Sequence, residues 1–216
     1  MAARDTAFQD FWALEGKAVN IGPRGSGERA TIQALLSLKG RDTSWFGRSL
    51  ELDTTERTVA VCSSDIDVAS YLVGVPSGLL RRVTNVCRTR LISIDSETLD
   101  NLVARYPFFS TGLIKKNTYS NMTNDVSTLA LYATLVTTSD TSADLVERVT
   151  AAIFESLDDF RKSDPALARL QPKEMVTRGH TAPLHPGAVR YYVKRGWMDS
   201  SHNWLPDQPL KKETHE

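Results

Sequence analysis

Apolar positions along this chain follow two rhythms that take turns. Short β-prone runs are followed by stretches where apolar side chains return every three or four residues. Over 1–16, Phe8, Phe11, Trp12 and Leu14 sit on a short helix or turn that Gly16 breaks. Lys17–Ile21 reads as a strand, and Ala30, Ala34, Leu35 and Leu38 predict a helix from Gly27 that Gly40 ends. Trp45–Leu50 predicts a strand, and Asp53-Thr-Thr-Glu56 starts a short helix to about Ser63. Ile66–Val75, mostly apolar and β-branched, reads as a buried strand stopped by Pro76. Ser77 caps a helix through Val86, and Arg90–Asp95 is a further strand. Ser96 and Glu97 then start a helix with Leu99, Leu102 and Val103 that ends before Pro107. This alternation predicts an α/β fold, with helices on the faces of a mostly parallel sheet.

The second half reads differently. Residues 108–127 are polar and irregular, and Thr128–Thr138 is a long β-prone run. Thr141 and Asp144 resemble a capping box, followed by Leu145, Val149, Ile153, Leu157 and Phe160 on one helical face. Asp164-Pro165 opens a helix to about Leu170, and 172–179 is another. His185-Pro-Gly187 leads into a helix over Ala188–Lys194 with Tyr191 and Tyr192, stopped by Gly196. From about 140 onward no strand is predicted, so these helices need a sheet to cover.

Composition narrows the choices. The 26 basic and 26 acidic residues of the 216 balance to zero, which argues against a dedicated nucleic-acid surface. No apolar run reaches the ~20 residues of a membrane span, and the first residues show no signal-peptide pattern. The expectation is therefore a chain with no direct membrane insertion. Cys62 and Cys87 lack metal spacing; a disulfide is open, with two unpaired buried thiols the favoured reading.

The chemistry centres on Gly22-Pro-Arg-Gly-Ser-Gly27, which joins the first strand to its helix. Glycines let the backbone bend and approach a ligand. The helix start presents free N–H groups and a positive dipole end, suited to a carboxylate or phosphate. Glu28 and Arg29 stand where a P-loop needs Lys and Ser/Thr, so nucleotide hydrolysis is not expected. A turn that merely needs glycine is the competing reading. Arg24 and Arg29 could pair with a carboxylate or simply face solvent. His180 and His185 are kept off one helix face by Pro183 and Pro186, so His185 reads as a turn or capping residue rather than a zinc ligand. Asp65 and Asp67 alternate faces on a strand, and no nucleophile motif appears. No metal or cofactor is expected.

Four segments, in order, carry a family resemblance over roughly 16–196. GKAVNIGPRGSGERATIQALL resembles the GKxVxxGPxGSGTR segment of the TAXI-type solute receptors of TRAP transporters. SSDIDVASYLVGVPSGLL, YPFFSTGLIKKNTY and LHPGAVRYYVKRG resemble three further segments of that family. The resemblance implies a type 2 periplasmic binding-protein fold, two α/β lobes joined by crossing strands that close on a small ligand. On that scheme 1–16 is a lead-in, 17–127 the central lobe, 128–198 the hinge-crossing strand and helices of a second, incomplete lobe, and 199–216 a polar tail. The helix face Leu145–Phe160 would then lack its sheet and expose apolar area unless another chain covers it. The resemblance implies further chain before this point, so the expectation is a fragment, a truncated or misassigned start, or a reduced variant of the family.

What the resemblance implies for function is a solute-binding subunit, not an enzyme, that holds a small organic anion such as a carboxylate or acidic amino acid. Its partners would be that anion and a membrane permease, and its setting periplasmic or extracytoplasmic. Carried over by position, the ligand-binding residues are Gly25, Ser26, Gly27 and Arg29, with Gly74, Val75 and Pro76 opposite or adjacent. The sequence departs from the pattern at Glu28, Ser64-Asp65, Lys115, Asn117 and Lys194, the first two on the ligand side. An effector-sensing or interaction module on the same fold is the alternative. An enzyme acting on a phosphorylated or carboxylated small molecule is the third reading.

Overall fold

The computed structural model describes residues 8–180, 182–199 and 201. The chain folds as two compact units, Met1–Leu131 and Tyr132–Glu216. Asp199 and Ser201 apart, the expected polar tail lies outside the described residues.

The first unit is α/β. Its main sheet has the order β2-β1-β3, all parallel, from β1 (Ala18–Asn20), β2 (Arg48–Leu50) and β3 (Val68–Ala69). Both faces are covered, the usual condition of a parallel sheet. Val19 and Val68, paired in register, face a core with Leu35 and Leu36 of α1 (Gly27–Ser37) and Leu102 of α4 (Ser96–Arg105). Phe8, Phe11 and Leu14 fill the same core; Asp10 caps a 3-10 turn over Phe11–Leu14. On the opposite face Ala18, Leu50 and Ala69 meet Val61 of α2 (Thr54–Cys62) and Val83 of α3 (Gly78–Val86).

Several elements differ from the sequence expectation. The strand expected over Ile66–Val75 is only Val68–Ala69. Beyond Ala69 the chain leaves the ladder: Ser70 donates to the Asn20 carbonyl, and Leu72, Val73 and Val75 are exposed. Arg90–Asp95 is not a strand; Ser93 makes one isolated bridge to Asp10, and Ile94 N–H donates to the Ser127 carbonyl. Of Trp45–Leu50 only Arg48–Leu50 is strand, because Thr43–Trp45 forms a 3-10 turn capped by Asp42. The irregular stretch 108–127 contains β4 (Phe109–Ile114), antiparallel to β5 (Val126–Leu131). The polar Asn, Thr and Ser residues belong to the connection, where Asn117 and Asn121 adopt φ of +65° and +64°.

Cys62 and Cys87 form a disulfide, a correction to the two free thiols. They end α2 and cap α3, two helices on one face of the sheet, and their Cα atoms stand 4.9 Å apart. That separation lies within the span a disulfide bridges.

The second unit is helical. The β-prone run ends at Leu131; Tyr132–Thr138 carries no strand pairing and is held by Thr134 Oγ1 donating to Gly179 O and Arg178 to the Tyr132 hydroxyl. Ser142, not Thr141, precedes α5 (Ala143–Glu155) and makes no side-chain cap bond; the Thr141 hydroxyl is engaged with Thr137. The single expected helix is split at Ser156 into α5 and α6 (Leu157–Ser163). Pro165–Leu167 is a 3-10 turn rather than a helix to Leu170. α7 (Pro172–Thr177) and α8 (Pro186–Lys194) follow. Phe154, Val176, Tyr191, Tyr192 and Trp197 form the core of this unit. Leu145, Val149 and Phe160 remain 46%, 43% and 41% exposed, so among the described residues part of the α5–α6 apolar face is left open.

Two stability effects follow. Closing a 25-residue separation, the disulfide constrains the unfolded chain by about 3.5 kcal/mol. The Cys62→Ser/Cys87→Ser variant should lose about that much in urea unfolding, and equal stability would contradict it. In the second unit, a Cβ on Gly187 would lie 2.2 Å from the Ala143 carbonyl oxygen, where backbone meets backbone. Gly187→Ala should therefore cost about 1–3 kcal/mol in the same measurement.

Candidate functional site

The carboxyl ends of the three parallel strands form one edge of the first unit, where ligands of open α/β sheets bind. Three connections meet there. The first is the glycine turn after β1. Gly22 and Gly25 adopt φ of +87° and +78°, and a Cβ on Gly22 would strike Ser26 Oγ at 2.7 Å. Ser26 is the N-cap of α1, its Oγ accepting the Arg29 N–H at 3.2 Å. Gly27 opens the helix, and a side chain there would meet Leu72 Cδ2 at 2.6 Å.

The second connection, after β3, thus reaches the turn through Leu72. Gly74, Val75 and Pro76 continue it, with a cis Val75–Pro76 peptide, and Ser77 N–H donates to the Tyr119 hydroxyl at 2.8 Å. The structure therefore brings Leu72 against the glycine turn, a residue the sequence reading had not singled out. The third connection follows β2 and supplies Glu51. Its carboxylate pairs with Arg29 at 2.5 Å and with exposed Arg24 at 3.4 Å. The hydrogen bond from Arg29 holds the Glu51 carboxyl below its ordinary range.

Beneath the turn lies a pair that sequence reasoning missed. Glu28, in the first turn of α1, accepts Arg57 Nη2 at 3.0 Å. The nearby main-chain N–H groups of Glu28 itself and of Leu72 also favour its charged form. Arg57 is 2% exposed, with its Nη2 also on Thr54 Oγ1 at 2.9 Å and its guanidinium 4.7 Å from the centre of the Tyr71 ring. Its Nε and Nη1 are buried without a hydrogen-bond partner. Burial raises the Tyr71 phenol, tempered by the Thr58 hydroxyl 3.2 Å away. One signal was available: Arg57 stands four residues before buried Val61, on the inward face of α2.

Elsewhere, an open depression of about 530 Å³ lies along α3 and the β4–β5 connection. Arg81, Asn85 and residues 117–123 line it. In the second unit His185 is the N-cap of α8, its Nδ1 accepting the Gly187 N–H at 3.1 Å. That is the capping role its place before Pro-Gly predicted. Among the described residues no group of His, Cys, Asp and Glu could hold a metal ion.

Burial would raise the Glu28 pKa, but the two amides and Arg57 outweigh it and hold it below the ordinary 4.5. A depressed folded-state pKa contributes stability that is present above the unfolded value and lost as pH falls through the folded one. Glu28→Gln should flatten the fall of the melting temperature as pH drops below 4.5. Parallel melting curves for the two proteins would contradict this.

Two comparisons bear on this architecture. The crystal structure of the periplasmic aliphatic sulphonate binding protein SsuA from Escherichia coli is similar, with a TM-score of 0.41 and 14% identity. The match covers 89% of this chain but 53% of that one, so the chain spans about half the length of that structure. The NMT1-like family matches residues 1–196, from the segment before β1 through the Gly196 that ends α8. On that match the chain belongs to the NMT1-like family.

Proposed function

We propose that this chain is the solute-recognising part of a transport system, a receptor of the TAXI type that serves a TRAP permease. It binds a small organic anion, a carboxylate or an acidic amino acid, and does no covalent chemistry. The ligand sits at the carboxyl ends of β1 and β3, held by the Gly25–Gly27 turn, the Ser26 hydroxyl and Arg29, with Gly74, Val75 and Pro76 alongside.

The observation that carries this reading is the treatment of a carboxylate already at the turn. Glu28's carboxylate is held by the Arg57 guanidinium, and the nearby main-chain N–H groups of Glu28 and Leu72 favour its charged form. Those are the groups that favour a negative charge at a helix start. The Cys62–Cys87 disulfide supports an oxidising, extracytoplasmic setting. Among the described residues no helix is long and apolar enough to cross a membrane.

A thermal-shift screen with L-glutamate and succinate tests the reading. A ligand at a hundredfold excess over its Kd stabilises by about 2.7 kcal/mol. Ser26→Ala should weaken binding in calorimetric titration. It should also lower stability by about 0.5–2 kcal/mol, because the cap of α1 is lost. If no carboxylate moves the melting temperature, the anion-receptor reading is wrong; unchanged affinity in Ser26→Ala removes Ser26 from the site.

A further inference from the structure

The Glu28–Arg57 pair has an imbalance that a purely structural ion pair would not need. Arg57 is buried, and a guanidinium carries five N–H donors. Glu28 and Thr54 meet it at Nη2, while Nε and Nη1 have no partner. Buried donors left unmet carry a desolvation cost, and a native structure that keeps them calls for an explanation. The Glu28 carboxylate is tethered to the first turn of α1. Its Oε1 reaches Nη2. A free carboxylate carries no such tether and can take Nη1 and Nη2 together, the stronger bidentate arrangement.

We propose that Arg57 is the charged anchor of the ligand site and that Glu28 is a resident stand-in for the ligand's carboxylate, occupying that place until an incoming carboxylate displaces it. This rests on the anion-receptor reading above and deepens it. Glu28 is the more accessible member of the pair, its side chain 15% exposed against 3% for Arg57, so its departure opens the way to the guanidinium. The main-chain N–H groups near that place, which favour a charged carboxylate, then serve the ligand. Tyr71 keeps its ring on the guanidinium throughout, which holds Arg57 in place during the exchange. The ligand class is a compound with at least one free carboxylate, and its affinity is set by competition with Glu28.

The two roles for the pair predict opposite signs. As a strut only, Glu28→Gln lowers stability and leaves carboxylate affinity unchanged or reduced. As a stand-in, Glu28→Gln lowers stability yet binds more tightly, because the competitor has lost its charge. The experiment is calorimetric titration of L-glutamate and succinate into the full chain, its Glu28→Gln and Arg57→Lys variants and the double variant. Folding of each is checked by circular dichroism. The expected result is a tenfold or greater gain in Glu28→Gln that disappears in the double variant, and a tenfold or greater loss in Arg57→Lys. Binding seen only in Glu28→Gln also supports the proposal. Wild-type binding with no gain in Glu28→Gln, or with none lost in a folded Arg57→Lys, overturns it and leaves the anion receptor standing. No binding by either the wild type or Glu28→Gln overturns both.

Discussion

Asn20 is the residue through which the first unit is tied together. It ends β1, the central strand, and is wholly buried. Its side-chain oxygen accepts the Leu52 N–H at 2.7 Å, and its amide donates to the Leu52 carbonyl at 3.4 Å. Its main-chain carbonyl takes both the N–H and the hydroxyl of Ser70. A buried amide must satisfy its hydrogen bonds. Here the side-chain amide does so by fastening the chain beyond β2, while the main-chain carbonyl fastens the chain beyond β3. Glu51 immediately precedes Leu52, and Tyr71 and Leu72 immediately follow Ser70. The groups around the glycine turn are therefore positioned by one asparagine at the point where the ladder stops.

The short sheet and the polar edge share a cause. β1 offers β3 two partners, Val19 and Asn20. After them the main-chain groups find side chains and helix ends instead of a ladder. The Leu72 N–H favours the charged form of the nearby Glu28 carboxylate, and α1 is capped by Ser26. An edge built this way favours the charged form of the Glu28 carboxylate. The arginines follow the same logic at two depths. Arg24 and Arg29 meet Glu51 near the surface, where an ion pair contributes little. Arg57 meets Glu28 out of water, where each unmet donor counts.

The second unit is organised by contact rather than by hydrogen bonding. Gly187 lets α8 touch the backbone of α5, and Arg190 reaches Asp144 across the same crossing at 2.9 Å. Behind it Phe154 packs on Tyr191, Tyr192 and Trp197. The face bearing Leu145, Val149 and Phe160 is covered only in part, as the helical periodicity without a matching strand implied.

Local signals were legible wherever a residue acts on its near neighbours. The Asp53–Glu56 capping box, the Ser77 cap, the His185 cap and the α/β alternation all depend on contacts within about one helical turn. The failures lie where a partner distant in sequence decides. Ile66–Val75 has the composition of a strand, but β1 is too short to pair it. Phe109–Ile114 looks irregular, but β5 supplies its register. The pairing of Cys62 and Cys87, open from sequence, was decided where two helices end side by side. The glycine turn and its helix could be placed from sequence because backbone geometry demands glycine there. That Arg57 lies beneath them, joined to Glu28 and short of acceptors, is a product of packing between two helices, and only the tertiary structure decided it.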